Sequence, residues 1–285
     1  MSNFEQLFKT GRPLTMGILN VTPDSFSDGG RWFKLGDALS HAAEMIKDGA
    51  DIIDVGGQST RPGHIEISAE SELGRVLPVL KEICNDTSVP VSVDTYYPEV
   101  ARESVNAGAA IINDVSGKIS EEMARIVRES KAFWVITCTD EFPNNCDIAN
   151  EVYGRLCEMV NEAAFYGVPE NRLIIDPGFG FGKTRGQDIA LLRDIGKLCG
   201  KWPVLVGVSR KRMIGVLSKE DEPQNRDMAS LAAGIYAASH GAGIIRAHNV
   251  KLTADALRVI GGIAQGVATA DECRRITGVN FKWKR

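Results

Sequence analysis

Short apolar runs that end on polar residues recur along the chain. The first run, 16–19, ends on Asn20, and the residues that follow, up to position 30, are rich in Asp, Ser, Thr and Gly. Apolar runs of this length, bounded by turn-forming residues, are typical of buried strands. Further runs of the same design lie at 51–57, 89–93, 109–112, 133–136, 172–175, 203–208 and 243–245. The pattern therefore predicts eight strands, each followed by a polar loop.

Segments with helical spacing separate these runs. Leu73, Val76, Leu77 and Leu80, for example, form an i, i+3, i+4, i+7 stripe. The predicted helices are 37–47, 68–84, 99–106, 121–130, 148–165, 188–198, 227–240 and 253–264. Apolar strands without alternation, each followed by an amphipathic helix, indicate a parallel sheet that helices cover on its outer face. Eight repeats predict an α/β fold, a (β/α)8 TIM barrel, with a doubly wound open sheet as the alternative.

Composition limits the domain count and the class of partner. The chain has 285 residues, 44% of them hydrophobic, and no Pro-, Gly- or Ser-rich linker divides it. We therefore expect one domain over 1–285, with residues 1–11 as a short N-terminal extension. The net charge of -4 and the scattered basic residues give no reason to expect nucleic acid or a membrane surface as partner.

The N-terminus and the cysteines suggest a compartment. The first residues lack the apolar core of a signal peptide, and no apolar run approaches about 20 residues. The six cysteines show no CxxC pair, which favours reduced thiols. We expect a cytoplasmic protein.

The loops after the strands of such a barrel gather at one face, where residues distant in sequence meet. The strand-end groups that suit an anion with several oxygens are Asn20, Thr60, Arg61, Arg246 and His248. The strand-end groups that suit a flat heterocycle with donors and acceptors are Asp94, Asn113, Asp176 and Lys211. Two kinds of group predict a ligand with two chemically different ends.

Several of these residues allow a second interpretation. Asp176 can accept paired N–H bonds from an aminopyrimidine-like edge, or it can cap the next helix. Arg61 fits a solvated surface arginine as well as an anion ligand, and His248 fits a structural histidine of the core. Arg246 lies two residues before His248, which predicts that both face the same side of an extended backbone.

The segment GFGFGK at 178–183 looks superficially like a nucleotide-binding loop. It lacks the GxxxxGK[ST] spacing and does not fit GxGxxG. We interpret it as a backbone turn beneath a planar ligand. The sequence also shows no Ser/His/Asp or Cys/His set that would indicate nucleophilic catalysis.

Seven segments resemble, in order, the signature segments of the dihydropteroate synthase family of pterin-binding enzymes. They are MGILNVTPDSFSDGG, DIIDVGGQSTRPG, SVDT at 92–95, INDVSG at 112–117, IIDPGFGFGK, GVSRKRMIG at 207–215 and IIRAHNV at 244–250. The resemblance extends from about residue 12 to about residue 262. It implies a (β/α)8 barrel that joins 6-hydroxymethyl-7,8-dihydropterin pyrophosphate to 4-aminobenzoate, giving 7,8-dihydropteroate and pyrophosphate in folate biosynthesis.

The resemblance also implies roles for individual residues. The pterin ligands would be Asp94, Asn113, Asp176, Lys211 and Phe181. The pyrophosphate ligands would be Asn20, Thr60, Arg61, Arg246 and His248. The residues of the catalytic step would be Lys211, Arg246, His248, Arg61 and Asp28. Asn20 would hold Mg2+, and the loops 21–30 and 58–67 would close over the substrates. The resemblance further implies a homodimer and a sulfonamide target.

One departure from the family pattern leaves two other functions open. The family commonly has a Met-His pair after the fifth strand, where this chain has Thr137 and Cys138. Gln58 and Asn249 replace a frequent Glu and a frequent Asp with side chains of the same shape. The alternatives are a pterin-binding paralogue with weak turnover and a methyltetrahydrofolate:corrinoid methyltransferase. The methyltransferase handles no pyrophosphate, so the SerThrArgPro loop, Arg246 and His248 count against it.

Overall fold

Eight parallel strands form a single sheet in a computed structural model that describes residues 7, 10–22, 35–58, 66–264 and 266. The strands are β1 (Leu14–Asn20), β2 (Ile52–Gly56), β3 (Val91–Asp94), β4 (Ile111–Asp114), β5 (Phe133–Thr137), β6 (Leu173–Asp176), β7 (Leu205–Val206) and β8 (Ile244–Ala247). Their order is β6-β5-β4-β3-β2-β1-β8-β7, and a bridge between Ile175 and Val204 joins β6 to the residue before β7. The (β/α)8 barrel is confirmed, and the doubly wound open sheet is wrong, because sequence-adjacent strands are spatial neighbours throughout.

Helices follow the strands on the outside of the barrel. They are α1 (Leu35–Lys47), α2 (Ala69–Asp86), α3 (Pro98–Asn106), α4 (Glu121–Ser130), α5 (Ile148–Phe165), α6 (Arg185–Arg193), α7 (Arg212–Ser218), α8 (Asp227–Ser239) and α9 (Val250–Ala264). All eight predicted helices are present with small shifts at their ends. The prediction missed the short helix α7. Because of this helix, two α-helices lie between β7 and β8, whereas one lies between each other pair of consecutive described strands.

The largest boundary error is in α6. The predicted helix 188–198 is an α-helix that begins at Arg185 and ends at Arg193, followed by a 3-10 helix, Ile195–Leu198. The earlier start has a local cause, because Thr184 and Gln187 form a capping box in which each side chain bonds the other's backbone N–H.

Two apolar layers hold the barrel together. The larger layer lies between the sheet and the helices. The smaller one fills the barrel interior and consists of Leu14, Met16, Ile52, Ile111, Phe133, Val135, Ile174, Leu205 and Ile244. Because side chains alternate across a strand, the residue two positions after each interior residue also faces inward, towards the carboxyl ends of the strands. This alternation directs the polar side chains described below into the barrel, above the apolar interior residues.

Some sequence expectations concern other parts of the chain. No helix within the described ranges is long and apolar enough to cross a membrane. Five free thiols are described, namely Cys84, Cys138, Cys146, Cys157 and Cys199. Cys273 and most of the expected N-terminal extension, 1–11, lie outside the described residues.

Candidate active site

A layer of polar side chains lies directly above the apolar interior of the barrel. Asp54 follows Ile52 by two positions, Asn113 follows Ile111, Thr137 follows Val135, Asp176 follows Ile174 and Arg246 follows Ile244. Asp94 is level with them, because its register partners are Gly56 on β2 and Asn113 on β4. Residues from six strands thus meet at one end of the barrel, as predicted for this fold.

Arg246 connects two of the carboxylates in this layer. Its Nε donates to Asp54 Oδ2 at 2.6 Å, and its Nη2 donates to Asp94 Oδ2 at 2.6 Å. Asp54 Oδ2 also accepts from Asn113 Nδ2 at 3.1 Å. Asp54 is fully buried and the Asp94 side chain is 7% exposed, so the guanidinium offsets two charges that would otherwise be costly in the interior.

Four oxygens of this layer have no hydrogen-bond partner among the described residues. They are Asp54 Oδ1, Asp94 Oδ1, Asn113 Oδ1 and Thr137 Oγ1. A buried polar atom without a partner costs about 1–3 kcal/mol. A concentration of such atoms at one end of a barrel is typical of a site whose ligand supplies the missing partners.

Burial raises the pKa of Asp94 to about 7. Arg246 counteracts this shift, whereas the nearby carboxylates of Asp54 and Glu72 add to it. A carboxyl group perturbed in this way by burial and by neighbouring charges is common in active sites.

Asp176 and Lys211 form a second part of the layer. Asp176 Oδ1 accepts the backbone N–H of Gly178 at 2.7 Å, so the carboxylate caps the turn after β6 and not the next helix. Burial lowers the pKa of Lys211 to about 8, Asp176 opposes this change, and Arg246 adds to it. Lys211 Nζ donates to the carbonyl of Phe179 and lies 4.9 Å from the ring centroid of Phe181.

The GFGFGK segment is a backbone turn, as predicted. Gly178, Gly180 and Gly182 have φ values of 71°, 77° and 60°, which side chains larger than hydrogen rarely adopt. A Cβ at Gly178 would lie 1.9 Å from the carbonyl oxygen of Cys138. Lys183 stabilises the turn by donating to that carbonyl at 2.8 Å and to the carbonyl of Phe181 at 3.2 Å.

The loops after β7 and β8 are joined by side-chain hydrogen bonds. Ser209 Oγ lies 2.9 Å from His248 Nδ1 and accepts the backbone N–H of His248 at 3.2 Å. Asp227, at the start of α8, accepts from Arg210 at 2.7 and 3.0 Å and from Asn249 at 3.0 Å.

The sequence analysis did not anticipate the contact between Ser209 and His248. The two residues are 39 positions apart and meet only in the fold. Because Ser209 bonds both the ring and the backbone of His248, we interpret the pair as fixing the ring orientation.

The structure brings some predicted residues together and separates others. Asp94, Asn113 and Arg246 form one network, and Asp176 and Lys211 lie beside it. Arg246 faces inward to Asp54 and Asp94, whereas His248 lies beyond the end of β8 and bonds Ser209. Asp28, Thr60 and Arg61, and most of the loops 21–30 and 58–67, lie outside the described residues, so their assigned roles stay predictions.

Sequence reasoning missed Asp54. It considered the residues on which apolar runs end, and Asp54 lies inside the run 51–57. The available signal was a carboxylate within an otherwise apolar strand, since a charge in such a position needs a partner.

The expected Mg2+ ligand, Asn20, ends β1 and is half-buried. A Cβ at Gly56 would lie 3.7 Å from both Asn20 Oδ1 and Asp94 Oδ2, so these oxygens face a common space that glycine leaves open. Within the described residues, no group of three His, Cys, Asp or Glu side chains could hold a metal ion. One amide oxygen with substrate phosphates and water fits Mg2+, which is commonly bound through few protein ligands.

Comparison with known proteins places this site in a family. Residues 16–248 match the family model of pterin-binding enzymes. The chain is also 45% identical to the dihydropteroate synthase of Escherichia coli over 257 residues, which cover 87% of this chain and 90% of that relative. The chain belongs to the pterin-binding enzyme family.

Solved structures of dihydropteroate synthases resemble this chain over most of its length. The Xanthomonas albilineans enzyme with 4-aminobenzoic acid has a TM-score of 0.85 at 41% identity, covering 91% of this chain and 95% of that one. The same enzyme with 7,8-dihydropteroate has a TM-score of 0.82 at 39% identity, covering 91% and 96%. The Yersinia pestis enzyme in a sulfonamide drug complex has a TM-score of 0.83 at 38% identity, covering 90% and 96%.

Proposed function

We propose that this enzyme condenses 6-hydroxymethyl-7,8-dihydropterin pyrophosphate with 4-aminobenzoate and releases pyrophosphate. The observation that carries the proposal is the set of acceptor oxygens at the barrel end, contributed by Asp94, Asn113 and Asp176 and called here the acceptor edge. Relatives of the same fold and comparable length are dihydropteroate synthases, and one solved relative contains 7,8-dihydropteroate. The function therefore agrees with both the chemistry of the site and its relatives.

The acceptor edge suits the pyrimidine part of a pterin. That part carries ring N–H and exocyclic amine groups, which donate hydrogen bonds. Asp94 Oδ1 and Asn113 Oδ1 have no partner among the described residues, so they are available as acceptors. Lys211, a donor only, interacts electrostatically with Asp176 and suits a ring oxygen or nitrogen that accepts.

In the proposed reaction the C–O bond between the pterin methylene and the pyrophosphate breaks, and its electron pair leaves with the pyrophosphate. The methylene carbon then accepts the lone pair of the 4-aminobenzoate nitrogen, which loses a proton to solvent. The positive charge on the methylene delocalises into the dihydropterin ring. Carboxylates at Asp94 and Asp176 stabilise that charge, so the enzyme needs no covalent nucleophile.

The leaving group requires positive charge and donors at the mouth of the barrel. We assign this role to His248, Arg246 and the predicted ligands Thr60 and Arg61. We further propose that Asn20 holds Mg2+ together with pyrophosphate oxygens. When bound, the ion would neutralise charge on the departing pyrophosphate.

The assay that tests this function follows pyrophosphate release with each substrate alone and with both together. Release that requires both substrates and is abolished by a chelator supports the synthase and its magnesium requirement. Pterin binding without any release would instead identify the weak paralogue. Methyl transfer from methyltetrahydrofolate to a corrinoid would identify the methyltransferase.

We also propose that the enzyme is a homodimer that associates through α8 and α9. Met228 on α8 is 67% exposed, and Val259 and Ile263, one turn apart on α9, are 61% and 75% exposed. Exposed apolar residues on neighbouring helices are typical of an interface between subunits. Val259→Arg and Ile263→Arg should convert the dimer to a monomer in sedimentation velocity, and a monomeric wild-type protein would contradict the proposal.

Sulfonamide sensitivity is part of the same proposal, because a solved relative binds such a drug. A sulfonamide should inhibit competitively against 4-aminobenzoate. Inhibition that is independent of the 4-aminobenzoate concentration would contradict a shared pocket.

A further inference from the structure

Asp54 is a buried carboxylate to which the proposed reaction assigns no direct contact. It occupies the middle of β2, is fully buried, and uses one oxygen to bind two partners. Oδ2 accepts from Arg246 Nε at 2.6 Å and from Asn113 Nδ2 at 3.1 Å. Both partners belong to the group predicted to touch the substrate.

The hydrogen bond to Asp54 determines which end of the Asn113 amide faces the site. A carboxylate only accepts, so the amide must turn its NH2 towards Asp54. The other end of the amide, Oδ1, is then directed away from Asp54 and has no partner among the described residues. Without Asp54, the amide could present either its donor or its acceptor.

Arg246 is oriented in the same way. Its planar guanidinium joins Asp54 Oδ2 to Asp94 Oδ2, and each of those oxygens lies 2.6 Å from a nitrogen. Asp94 consequently keeps Oδ1 without a partner in the described part of the chain. Asp54 thus acts on both neighbouring members of the acceptor edge.

We propose that Asp54 is a positioning residue that makes the acceptor edge present oxygens only, so that the site selects a heterocycle edge made of N–H donors. This inference rests on the proposed function, because it assumes that a pterin occupies the barrel end. Asp54 itself does not touch the ring. Its effect on binding passes through Asn113 and Arg246.

A double-mutant cycle tests the connection through Asn113. The probe is 6-hydroxymethylpterin, titrated by calorimetry into the wild-type enzyme, Asp54→Ala, Asn113→Ala and the double variant. Asp54→Ala should weaken binding by about 10-fold or more, the scale of a hydrogen bond to a charged group. In the Asn113→Ala background the same change should cost clearly less, since the amide that Asp54 orients is already absent.

Asp114→Asn is the matched control. Asp114 lies on the adjacent position of β4 and faces the outer side, where it accepts from Ser116 N–H at 2.8 Å and from Trp134 Nε1 at 3.2 Å. This variant should bind the pterin within about threefold of the wild type, because the Asp114 side chain contacts Ser116 and Trp134 and no member of the acceptor edge.

An exchange of the two side chains keeps the test valid if Asp54→Ala does not fold. Asn113→Asp places two carboxylates opposite each other and should weaken pterin binding. The double variant Asp54→Asn with Asn113→Asp again has an amide donor that faces a carboxylate acceptor. The exchanged pair should recover most of the affinity that Asn113→Asp loses.

Two results would overturn the inference. The first is that the losses of binding free energy from Asp54→Ala and Asn113→Ala simply add in the double variant. The second is that the exchanged pair binds 6-hydroxymethylpterin no better than Asn113→Asp does. A wild-type enzyme that does not bind 6-hydroxymethylpterin would instead contradict the proposed function, so the two failures are distinguishable.

Discussion

Arg246 and Asp54 are 192 positions apart in the chain, and 2.6 Å separates Nε of the first from Oδ2 of the second. The contact spans β1, which lies between β2 and β8 in the sheet, so it forms only when the last strand pairs with the first. It therefore depends on closure of the barrel, and it holds a charged layer directly above an apolar one.

Arg246→Ala should affect both turnover and stability. Loss of one preorganised cationic donor lowers kcat by roughly 10²–10³ in comparable cases. The change also leaves Asp54 and Asp94 buried without their shared cation, which typically costs about 3–5 kcal/mol. Steady-state kinetics and urea unfolding measure the two effects. Wild-type stability in the variant would show that the ion pairs contribute nothing to folding.

Asp176→Asn should weaken pterin binding by about 1.5–3 kcal/mol, the scale for a hydrogen bond to a charged group. The amide retains one oxygen for Gly178 N–H, so the turn after β6 should survive. Calorimetric titration with 6-hydroxymethylpterin measures the change, and circular dichroism checks the fold. Equal affinity in variant and wild type would remove Asp176 from the pterin site.

Asp114 should make stability depend on pH. Burial raises its pKa to about 6, although hydrogen bonds from Ser116 and Trp134 oppose the shift. Between its unfolded pKa, near 3.9, and about 6, the native state holds a proton that the unfolded chain has lost. The stabilisation from this group is therefore complete below the unfolded pKa and disappears as the pH rises through about 6.

Asp114→Asn isolates this effect. The free energy of unfolding of the wild type, minus that of the variant, should fall by roughly 2–3 kcal/mol between pH 4 and pH 7. Urea titrations of both proteins across this range measure the difference. A difference that stays constant with pH would mean that Asp114 titrates normally in the native state.

Thr137→Val should stabilise the free enzyme. Thr137 is fully buried, and its Oγ1 has no partner among the described residues, so an isosteric methyl group removes an unpaired polar atom. A gain of about 1 kcal/mol is expected. Thr15→Val, which removes an equally buried and unpartnered hydroxyl away from the site, should act in the same direction. A loss of stability in Thr137→Val alone would indicate a partner for that hydroxyl in the free enzyme.

The fold was largely predictable because each element carries its own signal. Helices α4 and α5 match the predicted ranges 121–130 and 148–165, since their apolar stripes and capping residues Ser120 and Asp147 coincide. Helix α7 escaped prediction because it spans only Arg212–Ser218, opens with a charged residue and contains Gly215. A Cβ at Gly215 would lie 2.7 Å from the Arg226 guanidinium, so a larger residue there would displace that side chain.

The site was predictable only in part. Strand ends could be found from the apolar runs, and the structure places three of the residues found in this way, Asp94, Asn113 and Asp176, in one layer. The partners of those residues depend on strand order and register, which a single sequence does not determine. This is why Asp54 was missed and why Arg246 was expected beside His248 rather than between two carboxylates.

The most direct test of the proposed function is product formation from isotopically labelled 4-aminobenzoate and the pterin pyrophosphate, followed by mass spectrometry. The account predicts label in 7,8-dihydropteroate, at a rate that Arg246→Ala reduces by roughly 10²–10³. Asp114→Asn, whose side chain faces away from the barrel interior, should form the product at close to the wild-type rate. Absence of labelled dihydropteroate from a folded wild-type enzyme that binds the pterin would contradict the account.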